Sequence, residues 1–216
     1  MKTAVIFDMD GVLIDSVGMN WQSYNAVLKG DYGVEVATND IHKYVGRTLI
    51  DQIDMLNADY NINIDEDSFT TKTNEIKKEM FKSLQPMLGV KELLESLRAN
   101  GIPVAVGTSS NLEITEDKLR VTGLLEYFDA IVTSDHVSKH KPEPDVYLEC
   151  AKQLGVKAKD CIVIEDAPAG IDSARAAGMK CLAVETPYVD TEQLRKADRV
   201  VDSLESISFE TILDMR

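Results

Sequence analysis

The chain has 216 residues, 44% of them hydrophobic, and its 37 acidic against 23 basic side chains give a net charge of −14. That length suits one large domain or a domain carrying an insert, and the apolar fraction supplies a sizeable core. The acidic balance argues against nucleic acid or an anionic membrane as the main partner, so a site for an anionic substrate must bring its own positive charge or a metal ion.

The first run, Ala4–Phe7, is short and apolar and predicts a buried strand. It stops at two carboxylates, Asp8 and Asp10, followed by Gly11. In open α/β sheets, ligands sit outside the carboxyl ends of the strands, and two crowded acids need a cation or a shared proton between them. Taken alone, the same segment could also be a solvated loop after a strand. From Val17 to Gln85 no buried strand is predicted, and helices are expected over Met19–Lys29, Thr48–Leu56 and Asp67–Leu84. Pro86 and Gly89 mark the return to alternation. The expected organisation is therefore a core of residues 1–16 and 86–216 with a small helical cap at 17–85. The hinges would lie near Ser16–Gly18 and Gln85–Gly89, where a lid could exclude water.

Beyond the cap, Val90, Leu93, Leu94 and Leu97 share one helical face, and Asn100-Gly101 closes that helix. Strands are predicted at Ile102–Gly107, Ala130–Thr133, Cys161–Glu165, Lys180–Val184 and Arg199–Val201. Between them lie helices at Leu112–Thr122, Asp145–Leu154 and Ala167–Ala177, each ending at a glycine. This alternation predicts an α/β fold with a doubly wound parallel, Rossmann-like sheet.

The strand ends carry the candidate chemistry. Thr108-Ser109-Ser110-Asn111 offers hydroxyls and free amides at a helix start, which suits either an anion site or an ordinary helix cap. Lys141 stands before the stiff Pro142-Glu143-Pro144 stretch, which can aim it. Glu165 and Asp166 close another strand and face Asp8 and Asp10. Oxygen donors with only scattered histidines (His42, His136, His140) suit Mg²⁺ rather than zinc. Cys150, Cys161 and Cys181 show no paired spacing and read as core residues of a reducing compartment. With no early spanning run or leader pattern, the expected location is the cytoplasm. The expected state is a monomer with no nucleic-acid or membrane partner.

These motifs, in this order, resemble the haloacid dehalogenase superfamily, in its subgroup with a small helical cap after the first strand. The residues that carry the resemblance are Asp8-Met9-Asp10-Gly11-Val12-Leu13-Ile14-Asp15-Ser16, the Thr108-Ser109 pair, Lys141-Pro142 with Pro144-Asp145, and Glu165-Asp166 followed by Gly170, Ala174, Ala177 and Gly178. The resemblance implies that Asp8 is a nucleophile forming an aspartyl-phosphate and that Asp10 is the acid and then the base. It implies that Thr108, Ser109 and Lys141 hold the phosphoryl group, with Lys141 also restraining Asp8. Asp8, Asp166 and the Asp10 carbonyl would bind Mg²⁺, helped by Glu165. In the cap, Arg47 within Val45-Gly46-Arg47-Thr48 would grip a distal group of a sugar phosphate. Asn20 stands where β-phosphoglucomutase members carry a histidine. It cannot become a cation, which favours a phosphatase of small phosphorylated metabolites over a phosphomutase. A non-catalytic binding protein on the same fold is the third reading.

Overall fold

The computed structural model describes residues 3–45 and 49–215. The chain forms two units: residues 1–15, 84–186 and 191–216, and residues 16–83 with 187–190.

The larger unit opens with strand β1 (Ala4–Phe7), all of whose residues are fully buried. The smaller unit holds helices α1 (Ser16–Val27), α2 (Leu49–Tyr60) and α3 (Glu66–Phe81). The chain then returns to the larger unit with α4 (Val90–Ala99), β2 (Val104–Gly107), α5 (Leu112–Val121) and β3 (Ala130–Val132). After these come α6 (Asp145–Leu154), β4 (Cys161–Glu165), α7 (Pro168–Ala176), β5 (Lys180–Val184), α8 (Thr191–Leu194), β6 (Arg199–Val201) and α9 (Phe209–Leu213).

The six strands form one parallel sheet in the order β3-β2-β1-β4-β5-β6. Its central strands read as unbroken apolar runs because both faces are covered. Helix α6 packs across β1, β2 and β3, and α7 packs on β4 and β5 beside it. Right-handed crossovers place α4 and α5 on the opposite face, since their strands step the other way along the sheet. The strand order reverses beside β1, which makes the gap between the ends of β1 and β4 the topological switch point. Phe7 pairs with Ile164 and with Val106, so the next residues up, Asp8, Glu165 and Gly107, emerge at one level.

The helices of this unit follow the sequence closely. Val90, Leu93, Leu94 and Leu97 are buried on α4 as one stripe, and α7 starts with Pro168, whose missing N–H costs nothing in a first turn. The short α8 and α9 were not expected, being too brief to show a period.

The smaller unit has its own core. Trp21, Leu28, Tyr44, Leu56 and Phe69 are buried together, with ring centroids of Trp21 and Tyr44 5.3 Å apart and those of Tyr24 and Phe69 5.2 Å apart. Tyr44 donates its hydroxyl to Asp59 at 2.7 Å, which satisfies the polar end of a buried ring. Helix α3 is capped by Asp65, whose carboxylate accepts the Ser68 N–H at 2.9 Å. Tyr188, from the loop after β5, is buried in the same cluster, which is why Pro187–Asp190 groups with these helices. No helix among the described residues is long and apolar enough to cross a membrane.

Candidate active site

At the carboxyl ends of β1, β2 and β4 the chain leaves the sheet around a cavity of about 330 Å³, lined by Asp8, Asp10, Thr108, Lys141 and Asp166 among others. Asp8 continues the ladder, donating its N–H to the Ile164 carbonyl at 2.9 Å, and this buries its carboxylate. Lys141 reaches in from the loop before α6 with its side chain 8% exposed. Its ammonium bonds Asp8 Oδ1 and, at 2.7 Å, Glu165 Oε1.

Glu165 is fully committed. Its Oε1 also accepts the Tyr147 hydroxyl at 2.6 Å, and its Oε2 accepts the N–H groups of Asp166 and Ala167 at 2.9 and 3.0 Å. Two hydrogen bonds on each oxygen use its usual acceptor capacity. The Tyr147 ring lies under Lys141, 4.7 Å from the ammonium, adding a cation–π contact.

Asp10 is held separately. Lys118 on α5 reaches its Oδ1 at 2.5 Å, and Ser110 donates to its Oδ2 at 3.0 Å. Thr108 is buried, and its hydroxyl accepts the Ser110 N–H at 3.1 Å, while Ser109 is exposed at the mouth.

Four carboxylates thus face two ammonium groups. Burial pushes the Asp8 carboxyl up to about 7, with Glu165 and Asp10 adding to the rise and Lys141 opposing it. Burial, then Glu165 and Asp8, drive Asp166 well above the carboxylate range. Burial works against the charge on Lys141, yet Asp8 and Glu165 outweigh it and hold the ammonium protonated.

This donor set fits a divalent cation. Oxygens of Asp8, Glu165 and Asp166 lie within 4.8 Å of one another, and without a metal ion the single ammonium of Lys141 and retained protons must offset their crowding. The Asp166 carboxylate is seated against the Gly11 backbone, where a Cβ would lie 2.0 Å from its Oδ2. Because the Glu165 oxygens are already engaged, the free donors are those of Asp8 and Asp166.

Two results are expected. Asp8 is raised above its unfolded value, so the stability it contributes is present below about pH 4 and is lost as pH rises through about 7. Melting in EDTA should therefore show Tm falling between about pH 5 and 8, with added divalent cation raising Tm more at the upper end. An equal rise at both ends would show that the cation does not bind here. Separately, Gly170→Ala should destabilise by about 2–4 kcal/mol in denaturant titration, because its Cβ would lie 1.6 Å from Glu165 Oε1 in a packed helix start. An unchanged midpoint would mean that Glu165 can vacate its seat.

Asp8, Asp10, Thr108, Ser109, Lys141, Glu165 and Asp166, all singled out from the sequence, line this one cavity. Arg47 lies outside the described residues. Asn20 sits half-buried on α1, its backbone carbonyl accepting the Ser23 hydroxyl at 2.6 Å. Sequence reasoning missed Lys118 and Tyr147. Lys118 was discoverable as a lysine on the apolar face of a helix, spaced with Thr115, Leu119 and Thr122. Tyr147 sits in the buried stripe of α6 and reads as plain core.

A carboxylate clamped by an ammonium, a second carboxylate held apart from it, and a mouth of hydroxyls can transfer an anionic group through a carboxylate. Residues 5–184 match the model of the haloacid dehalogenase-like hydrolases. The bifunctional riboflavin kinase/FMN phosphatase of Arabidopsis thaliana is 32% identical over 97% of this chain, which spans 55% of that protein's length. Fructose-1-phosphate phosphatase YqaB of Escherichia coli is 36% identical over 83% of this chain and 95% of its own. The crystal structure of β-phosphoglucomutase from Clostridium difficile is 27% identical, with a TM-score of 0.73, covering 100% of this chain and 97% of the other.

Proposed function

The chain belongs to the haloacid dehalogenase-like hydrolase family, and from that premise we propose that it is a Mg²⁺-dependent phosphatase of small phosphorylated metabolites, sugar phosphates above all. The observation that carries this reading is the separation of two carboxylates only two residues apart. Asp8 is clamped by Lys141, and Asp10 is held by Lys118 and Ser110. Two acids in different settings can take different roles.

In the first step an Asp8 oxygen attacks phosphorus while the ester oxygen leaves with a proton from Asp10, giving a phosphorylated Asp8 and a free alcohol. In the second, Asp10 takes a proton from water as the water oxygen attacks phosphorus, which releases inorganic phosphate and restores Asp8. Lys141, Thr108 and the amides after β2 meet the phosphoryl oxygens, since this chemistry needs positioning and charge stabilisation above all. Mg²⁺, held by Asp8, Asp166 and the Asp10 carbonyl, would neutralise part of the phosphoryl charge. Glu165 serves from behind by fixing Lys141. Three buried, unpaired thiols fit a reducing compartment, the cytoplasm.

A phosphomutase is the second reading, favoured by the likeness to β-phosphoglucomutase and opposed by Asn20. The test is phosphate release from a panel of sugar and small-metabolite phosphates, with Mg²⁺ and with EDTA. Mg²⁺-dependent release is expected. Interconversion of a hexose 1-phosphate and 6-phosphate without release would replace the phosphatase reading with the mutase one.

A further inference from the structure

Lys118 has no place in the reaction as written so far, yet its position is costly. On α5 the buried face comprises Thr115, Lys118, Leu119 and Thr122. The two threonines turn back on their own helix, Thr115 to the Asn111 carbonyl at 2.7 Å and Thr122 to the Lys118 carbonyl at 2.8 Å. A lysine there must leave water, and only a close counter-charge offsets that. Its side chain is 10% exposed and ends 2.5 Å from Asp10 Oδ1.

The other carboxylate oxygen is met by Ser110, which is itself fixed. Its N–H donates to the Thr108 hydroxyl at 3.1 Å, and its carbonyl accepts from Ser134 N–H at 3.0 Å and from the Ser134 hydroxyl at 3.1 Å. Two separate elements, α5 and the turn after β2, therefore grip the two oxygens of Asp10. Lys141 is already committed to Asp8 and Glu165, whereas Lys118 bonds Asp10 directly.

We propose that Lys118, with Ser110 as its second arm, is a positioning residue that gives Asp10 its own counter-charge and aims its carboxylate at the leaving oxygen rather than at the cation. This rests on the reading of Asp10 as the proton donor.

The test uses a series of substituted phenyl phosphates in the full-length protein, comparing kcat/KM, which reports the first phosphoryl transfer. A p-nitrophenolate leaves without a proton, whereas a phenolate leaves far better with one. A well-aimed acid flattens that difference, and a general acid contributes on the order of 10²–10⁴-fold. Lys118→Met should steepen the dependence, with the loss on phenyl phosphate exceeding that on p-nitrophenyl phosphate by roughly 10- to 100-fold. Lys118→Arg should recover most of the difference. In an Asp10→Asn background, Lys118→Met should add no further steepening.

Equal losses on both substrates would mark Lys118 as merely structural and overturn the proposal. Should Asp10→Asn itself leave the dependence flat, the reading of Asp10 fails first, and that outcome is separate. If Lys118→Met does not fold, Ser110→Ala carries the test. A steepening of about 3- to 10-fold is expected from it, and an unchanged slope overturns the proposal.

Discussion

Asp8→Asn should lower phosphate release by on the order of 10⁴-fold or more, because it removes the attacking oxygen rather than one of several helpers. The change is nearly isosteric, and Lys141 keeps Glu165 as its partner at 2.7 Å, so the site should not collapse. Stability should move the other way. Asp8 is buried among Glu165, Asp10 and Asp166, and its raised pKa means that its charge is a burden above about pH 7 without a cation. The variant should therefore melt higher than the parent in EDTA at that pH and should lose the cation-dependent rise. Single-turnover phosphate release with parallel melts would check both halves. Retained turnover would remove Asp8 as nucleophile.

Lys141→Met should be the most damaging single change to stability. The ammonium sits between Asp8 and Glu165 with only 8% of the side chain exposed, and Glu165 itself is 1% exposed. Removing it strands two buried carboxylates, a loss of about 3–5 kcal/mol, or roughly 10 °C in Tm for a chain of this size. The deficit has a definite pH sign. With Lys141 gone, Asp8 loses a neighbour that lowers its pKa, so its carboxyl stays protonated to higher pH, and the deficit should be largest above about pH 7 and shrink as pH falls through that value. Phosphate release should fall by on the order of 10³-fold as the phosphoryl oxygens lose a cation. Thermal melts at two pH values, with kcat measured beside them, would check this. A pH-independent deficit would mean that Lys141 stabilises by packing on Tyr147 rather than by charge.

The sheet was legible because its strands are buried on both faces. Ala4–Phe7 and Cys161–Glu165 have no polar interruption, and each ends at the carboxylates that water and a ligand can reach. The helices of the larger unit were legible where an apolar stripe met a glycine, as at Val90–Leu97 before Gly101. The chemistry near the strand ends was legible because a lysine before Pro142 or a paired acid after an apolar strand is expensive without a purpose. What stayed hidden depends on contacts far apart in sequence. Nothing local ties Lys118 to Asp10 or Tyr147 to Glu165: the helical spacing of Lys118 marks it as out of place without naming its partner, and Tyr147 sits on a face that ordinary packing explains. The same holds for Tyr188: one aromatic in a loop after β5 gives no sign that its ring belongs among Trp21, Tyr44 and Phe69.

That last residue limits how the protein can be rebuilt. A chimera that grafts another helical insert between Asp15 and Leu84 would exchange most of the smaller unit but leave Pro187–Asp190 behind. The recipient would then carry a tyrosine whose apolar ring has lost its neighbours. Loss of a buried aromatic is worth about 3–5 kcal/mol, enough to make such a graft fail for reasons unrelated to its specificity. The transplantable cassette is therefore discontinuous, and shuffling of substrate preference in this chain has to move two pieces of sequence together.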